Sequence, residues 1–215
     1  MGECSGMSPD GDRREMEKAD HLDDVSDRVA ALARQPVSPS SSEWEAIERT
    51  TREVVAPAIA AYGPDAVISA LVAAKADPYV AAVLVAISGP YHPPEGHDFR
   101  VTDLFSDEEI VRGALSFLEK FPDAGLADGN WAWTTLWNLW EQVEPAAQAR
   151  LVKHLIEEAP WDDQVLWMIG DGPLSEVANE PAHLAVIEGD EAIREKVARI
   201  RRLVEVDWPH GSADP

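Results

Sequence analysis

Residues 167–177 read WMIGDGPLSEV, and the role given to this stretch decides the fold. It stands between an apolar run and a segment with helical spacing. Small residues before a helix can cradle a phosphate, provided backbone N–H groups are free and a cation is near. Here Asp171 occupies the place of the anion, and Pro173 removes an N–H at the first helical position. The nearest bases along the chain are Lys153 and Arg194. The stretch therefore reads as a corner. Gly170 ends one helix, Asp171 and Gly172 turn the chain, and Pro173 opens the next helix with φ already set. Leu174 and Val177 then drop onto the core. Gly170, Gly172, Pro173 and Leu174 are thus the expected structural turn, and no cofactor is expected there or elsewhere.

Outward from the corner, helical periodicity recurs. Toward the C-terminus, Ile193, Val197, Ile200 and Val204 form one stripe. Upstream, PAAQARLVKHLIEEA starts with Pro145 near its first turn. NWAWTTLWNLWEQV places Trp133, Leu136, Trp137, Trp140 and Val143 on one face, with Asn130 as a cap. SDEEIVRGALSFLEKF opens on a capping box, Ser106 to Glu109, and carries Ile110, Ala114, Phe117, Leu118 and Phe121. PYHPPEGHDFRVTDLF reads as a long loop with a brief extended piece over 99–105. PYVAAVLVAISG is apolar nearly all round, which predicts a core helix. Pro57 predicts a kink or break in the helical run that contains Trp44, Ile47, Val54, Val55 and Ile59.

The expected architecture is all-α: a compact multi-helix bundle or a short helical-repeat-like stack. Residues 1–18 are polar and read as a disordered tail. Residues 19–34 form an appended amphipathic helix striped by Leu22, Val25, Val29 and Leu32. Residues 35–42 are a Pro/Ser linker, 43–208 the helical domain, and 209–215 a C-terminal tail. The appended helix is too short to be stable alone, so it folds back or docks on another chain, including a second copy. PYVAAVLVAISGP and PWDDQVLWMIGDGP also echo one another, which suggests stacked related units.

Composition limits function. The 215 residues carry a net charge of −22. From His154 to Ile193 there are ten Asp or Glu and no Lys or Arg. Such a surface repels phosphate backbones, so direct nucleic-acid binding is not expected, and a basic protein partner is. No apolar run approaches the roughly 18 residues of a membrane span. The N-terminus lacks the apolar core of a secretory leader, and Cys4 is the only cysteine. A reducing cytoplasm is the expected setting. Asp162, Asp163, Asp171, Glu176 and Trp161 are the expected interaction residues. Trp131 and Trp161 stand at helix starts, where an exposed aromatic pocket is expected.

The chain shows no catalytic set. His92 and His97 lie with Glu95 and Asp98 in the proline-rich loop and are the only metal-ligand candidates, without the spacing of a rigid zinc template. The expected function is a non-enzymatic, acidic, helical interaction domain of the immunity, antitoxin or adaptor kind. The alternative is a metal-dependent or carboxylate-based hydrolase built on the His92/His97 loop.

Gly170, Gly172, Pro173 and Leu174, preceded by a Trp-rich helix and a Pro-initiated helix, resemble a bacterial family of uncharacterised helical domains with a Gly-Ala-Gly-Pro-Leu-Glu signature. The resemblance spans about Trp131 to Val204. Asp171 stands in place of the alanine and Ser175 in place of the glutamate, with Glu176 one step later. That step turns the carboxylate about 100° around the helix. The resemblance implies an all-helical bacterial domain and no particular chemistry.

Overall fold

The computed structural model describes residues 21–22, 24–36, 42–89, 99–137, 145–179 and 181–204. The expected tails, most of the expected linker and the His92/His97 loop lie outside them. The described residues are helices and turns, with no strand among them. None of these helices is long and apolar enough to cross a membrane. The run 43–208, read from sequence as one domain, divides instead into two compact units. The first ends at Ile87, and the second comprises Ser88, Gly89 and the residues from Phe99 onward.

The first unit begins with helix α1 (residues 24–33), followed by α2 (Glu43–Thr50), α3 (Ala56–Tyr62), α4 (Pro64–Ala73) and α5 (Pro78–Ser88). Val25 and Val29 of α1 are buried, and the Ser26 hydroxyl donates to the Ala70 carbonyl of α4 at 3.1 Å. Arg34 then pairs with Asp77 and lies over the Tyr79 ring. The appended helix thus folds back within its own chain, with the two valines of its stripe buried and Leu22 and Leu32 half-buried. Pro57 does not break the helical run. The chain passes it through a π-turn, Thr51–Val55, leading directly into α3. A proline ring cannot sit against the carbonyl four residues before it, and a wider turn clears that clash. From Val80 to Val85 every residue of α5 is buried, as its apolar composition predicts.

The second unit contains α6 (Val101–Leu104), α7 (Asp107–Lys120), α8 (Asn130–Trp137), α9 (Pro145–Glu158), α10 (Asp163–Ile169), α11 (Ser175–Ala178), α12 (Pro181–Glu188) and α13 (Arg194–Leu203). Of the extended piece expected over 99–105, Val101–Leu104 is helical instead, while Arg100 and Phe105 on either side keep extended backbone. Val101 and Leu104, three residues apart, are both buried, and the Asp103 carboxylate accepts the Arg100 N–H at 3.3 Å. The Ser106–Glu109 capping box forms as expected, with Ser106 N–H to Glu109 Oε2 at 2.8 Å and Glu109 N–H to Ser106 Oγ at 3.3 Å. Asn130 is the first residue of α8 rather than its cap.

Helices α7 and α8 approach backbone to backbone. A β-carbon on Gly129 would run into the Gly113 carbonyl oxygen, and one on Gly113 would lie 2.7 Å from the Ala132 Cβ. Gly129 also has φ +99°, where other residues are strained. Around this contact the core fills with Ile110, Leu136, Leu151, Leu155, Ile156 and Leu166. The stripe Ile193, Val197, Ile200 and Val204 is buried throughout, as its spacing predicts. Trp131 is buried too, 4.7 Å ring to ring from Phe105, so the exposed pocket expected beside it is absent.

Candidate interaction surface

The corner at 170–174 is a packed junction. Gly170 keeps ordinary right-handed helical geometry (φ −70°, ψ −47°), so it does not end α10 by reversing hand. A wide π-type turn, Gly170–Leu174, carries the helical path onward to a kink at Gly172 (φ −100°, ψ −112°). The glycines are there for space. A β-carbon on Gly170 would sit 2.5 Å from Ile200 Cγ2, and one on Gly172 would sit 3.2 Å from both Trp133 Cζ2 and Trp137 Cζ2. Gly170, Gly172, Pro173 and Leu174 are all buried. Ser175, where the resembled signature has glutamate, turns its hydroxyl back onto the kink, 2.7 Å from the Gly172 carbonyl and 3.0 Å from that of Asp171.

The acidic window is partly neutralised from outside itself. Asp163 pairs with Arg199 through Nε at 3.0 Å and through Nη2. Lys153 lies 2.7 Å from Asp190 and 3.5 Å from Glu157. Glu188 pairs with Arg201, and Glu191 with Arg194. The Asp163 carboxyl is held below its ordinary 3.8 by the Arg199 hydrogen bond, and Asp190 likewise by Lys153. Half of the ten carboxylates thus carry an ion pair. Among the described residues, those without one are Glu158, Asp162, Asp171 and Glu176.

Two of these four acids border exposed tryptophans. Asp162 caps α10, accepting the N–H groups of Gln164 and Val165 at 3.0 Å each. Beside it Trp161 is 64% exposed. The ring is nonetheless held from within, because the Lys196 ammonium lies over it, 5.7 Å from the centroid. That ammonium is fixed in turn. It donates to the carbonyls of Ile156 (3.0 Å), Glu157 (2.7 Å) and Ala159 (2.6 Å), the otherwise unpaired end of α9. Burial pulls the Lys196 pKa down, and Glu158 and Glu157 oppose that pull. One turn along α10, Trp167 is 42% exposed and shares the outer face with Gln164 and Asp171, which are also exposed. Buried Val165, Leu166, Met168 and Ile169 form the opposite face. The echo between 78–90 and 160–173 does not extend to structure: α5 starts at its proline and is buried, whereas α10 starts three residues after Pro160 and keeps one face in solvent.

Trp161, Asp162, Asp163 and Asp171, named from sequence, therefore lie on or beside one short helix. Glu176, half-buried on α11, lies beyond the kink. Trp167 was missed, because its place in an apolar run reads as core. A second feature is an open groove of about 370 Å³ lined by Val111 and Leu115 of α7, His154 and Glu158 of α9, and the paired Glu108 and Arg112. No cluster of three or more metal-ligating side chains occurs among the described residues. His92 and His97 lie outside those residues. No known family matches the chain, and no similar curated protein or solved structure is found.

Proposed function

We propose that this chain is a non-enzymatic protein-interaction module for a basic protein partner, in a cytoplasmic role of the bacterial immunity, antitoxin or adaptor kind. The observation that carries this reading is the placement of exposed Trp161 and Trp167, on and beside α10, next to Asp162 and Asp171, carboxylates without an ion pair. Tryptophan anchors dominate many protein interfaces, because a large rigid ring buries much area at little entropic cost. Carboxylates at their rim select a positive partner and speed its approach. The anchoring of Lys196 also favours binding, since a Trp161 ring already held in place loses less freedom on contact.

The test is titration of the full chain with a panel of purified basic and acidic proteins of similar size, at low and at high salt. Association with basic proteins alone, weakening steeply as the Debye length shrinks from about 30 Å to about 3 Å, supports the reading. Binding that ignores salt, or that favours acidic proteins, removes its electrostatic basis.

A further inference from the structure

We infer that the outer face of α10 is an arginine-reading surface: Trp167 receives the plane of a partner's guanidinium while Asp171 takes its N–H edge. The inference rests on the basic-partner reading above and assigns that partner's contact. Trp167 and Asp171 are four residues apart on a continuous right-handed path, since Gly170 between them is helical. Residues so spaced are neighbours on a helix surface. The same unit already pairs each kind of group with a cation: Lys196 lies over Trp161, and Arg199 grips Asp163 through two nitrogens. Trp167 and Asp171 repeat that pairing of indole and carboxylate with no cation of the described chain upon them, and both are exposed.

Charge complementarity fixes the occupant. A chain of net charge −22 disfavours a second copy of itself at this face. Arginine suits the pair better than lysine. A planar guanidinium stacks on an indole and still presents N–H groups at its edge, whereas an ammonium is a point charge that does one or the other well. Gln164, a turn before Trp167, supplies an amide for the backbone of the arriving segment.

The test uses the full chain and three synthetic alanine-based peptides of one length, bearing spaced arginines, lysines at the same places, or citrullines. Binding is followed through the Trp167 indole N–H resonance and by calorimetry at low salt. The expected order is arginine tightest, lysine about tenfold weaker and citrulline unbound, from the loss of stacking and then of charge. Trp167→Leu and Asp171→Asn each weaken the arginine peptide by about tenfold, while Glu119→Gln, at an exposed acid on α7, leaves it unchanged. If the arginine peptide binds Trp167→Leu and Asp171→Asn as tightly as the parent, this surface is overturned and the basic-partner reading survives. If neither cationic peptide binds the parent, both fall. Should the parent self-associate and Trp167→Leu abolish it, the occupant is a second copy and the arginine assignment is wrong.

Discussion

Replacing Gly170 by alanine separates two explanations of the 170–174 corner. If this glycine served to reverse the helix, alanine would be penalised by the backbone itself, whatever lies nearby. Its dihedrals are those of an ordinary helix, so alanine gains about 1 kcal/mol of helix propensity there. Against that stands the contact with α13. The new β-carbon would lie 2.5 Å from Ile200 Cγ2 and 3.2 and 3.3 Å from the two Val204 γ-carbons. Carbon atoms settle at about 3.5–4.0 Å, so α13 must retreat by about an ångström. Overpacking of this kind costs about 1–3 kcal/mol, leaving Gly170→Ala destabilising by about 0–2 kcal/mol. Ile200 is fully buried, and Ile200→Ala alone costs about 2–5 kcal/mol. With that side chain cut back only the Val204 contacts at 3.2 and 3.3 Å remain, so Gly170→Ala should cost less there, or become stabilising by up to about 1 kcal/mol. The assay is urea unfolding of the four proteins of the cycle, read by tryptophan emission; seven of the eight tryptophans lie at or beyond residue 131. A coupling of about 0.5–3 kcal/mol is expected, the cost of alanine falling once Ile200 is cut back. Equal costs in both backgrounds would refute the close-approach account.

Lys196→Met should destabilise the second unit by about 1.5–3 kcal/mol, because three carbonyls at the end of α9 lose a charged donor; the change should also shift Trp161 emission, and unchanged stability would sink the capping role. Asp128, Asp163 and Asp190 all titrate below 3.8, held down by Lys120, Arg199 and Lys153. Their pKa values are lower folded than unfolded, so their stabilisation is complete above about pH 3.8 and fades as pH falls through the folded values. The melting temperature should drop in that acid range, and the drop should be shallower in Asp163→Asn; identical acid profiles would contradict this. Gly129→Ala should cost about 3 kcal/mol or more, combining backbone strain with collision against α7. Gly63→Ala, strained at φ +83° but open around its β-carbon, should cost about 1–3 kcal/mol, and calorimetric melting that ranks them the other way would count against the collision.

Features that follow from local pattern are legible in the residues alone. The stripe Ile193, Val197, Ile200, Val204 and the Ser106–Glu109 box need only spacing and short-range hydrogen bonding, and both are present. The stretch 167–177 is legible as a corner but not in its cause. Gly170 answers to Ile200 across thirty positions, a contact that no neighbouring residue announces. Trp131 and Trp161 both open helical segments, and nothing local shows that Phe105 covers one ring while the other stays in solvent. The acidic window misleads for the same reason. Its compensating bases come chiefly from α13, and Arg199 is thirty-six positions from Asp163. Among the window's described acids, Glu158, Asp162, Asp171 and Glu176 remain after those pairings, and only Asp162 and Asp171 stand beside exposed tryptophans, a far smaller surface than the composition suggests.

Helix α13 has a temporal consequence. Its apolar stripe seals the corner, Lys196 ties off α9, and Arg199 and Arg201 reach back to carboxylates synthesised earlier. A nascent chain that has not yet emitted α13 therefore exposes a bare glycine junction and a run of mutually repelling acids, while the residues through Ile87 already belong to a compact unit of their own. Vectorial folding should thus run in two beats, the first during translation and the second delayed until this last helix clears the ribosome. Stalling synthesis ahead of residue 194 would leave a protease-resistant first half joined to a pliable, digestible second.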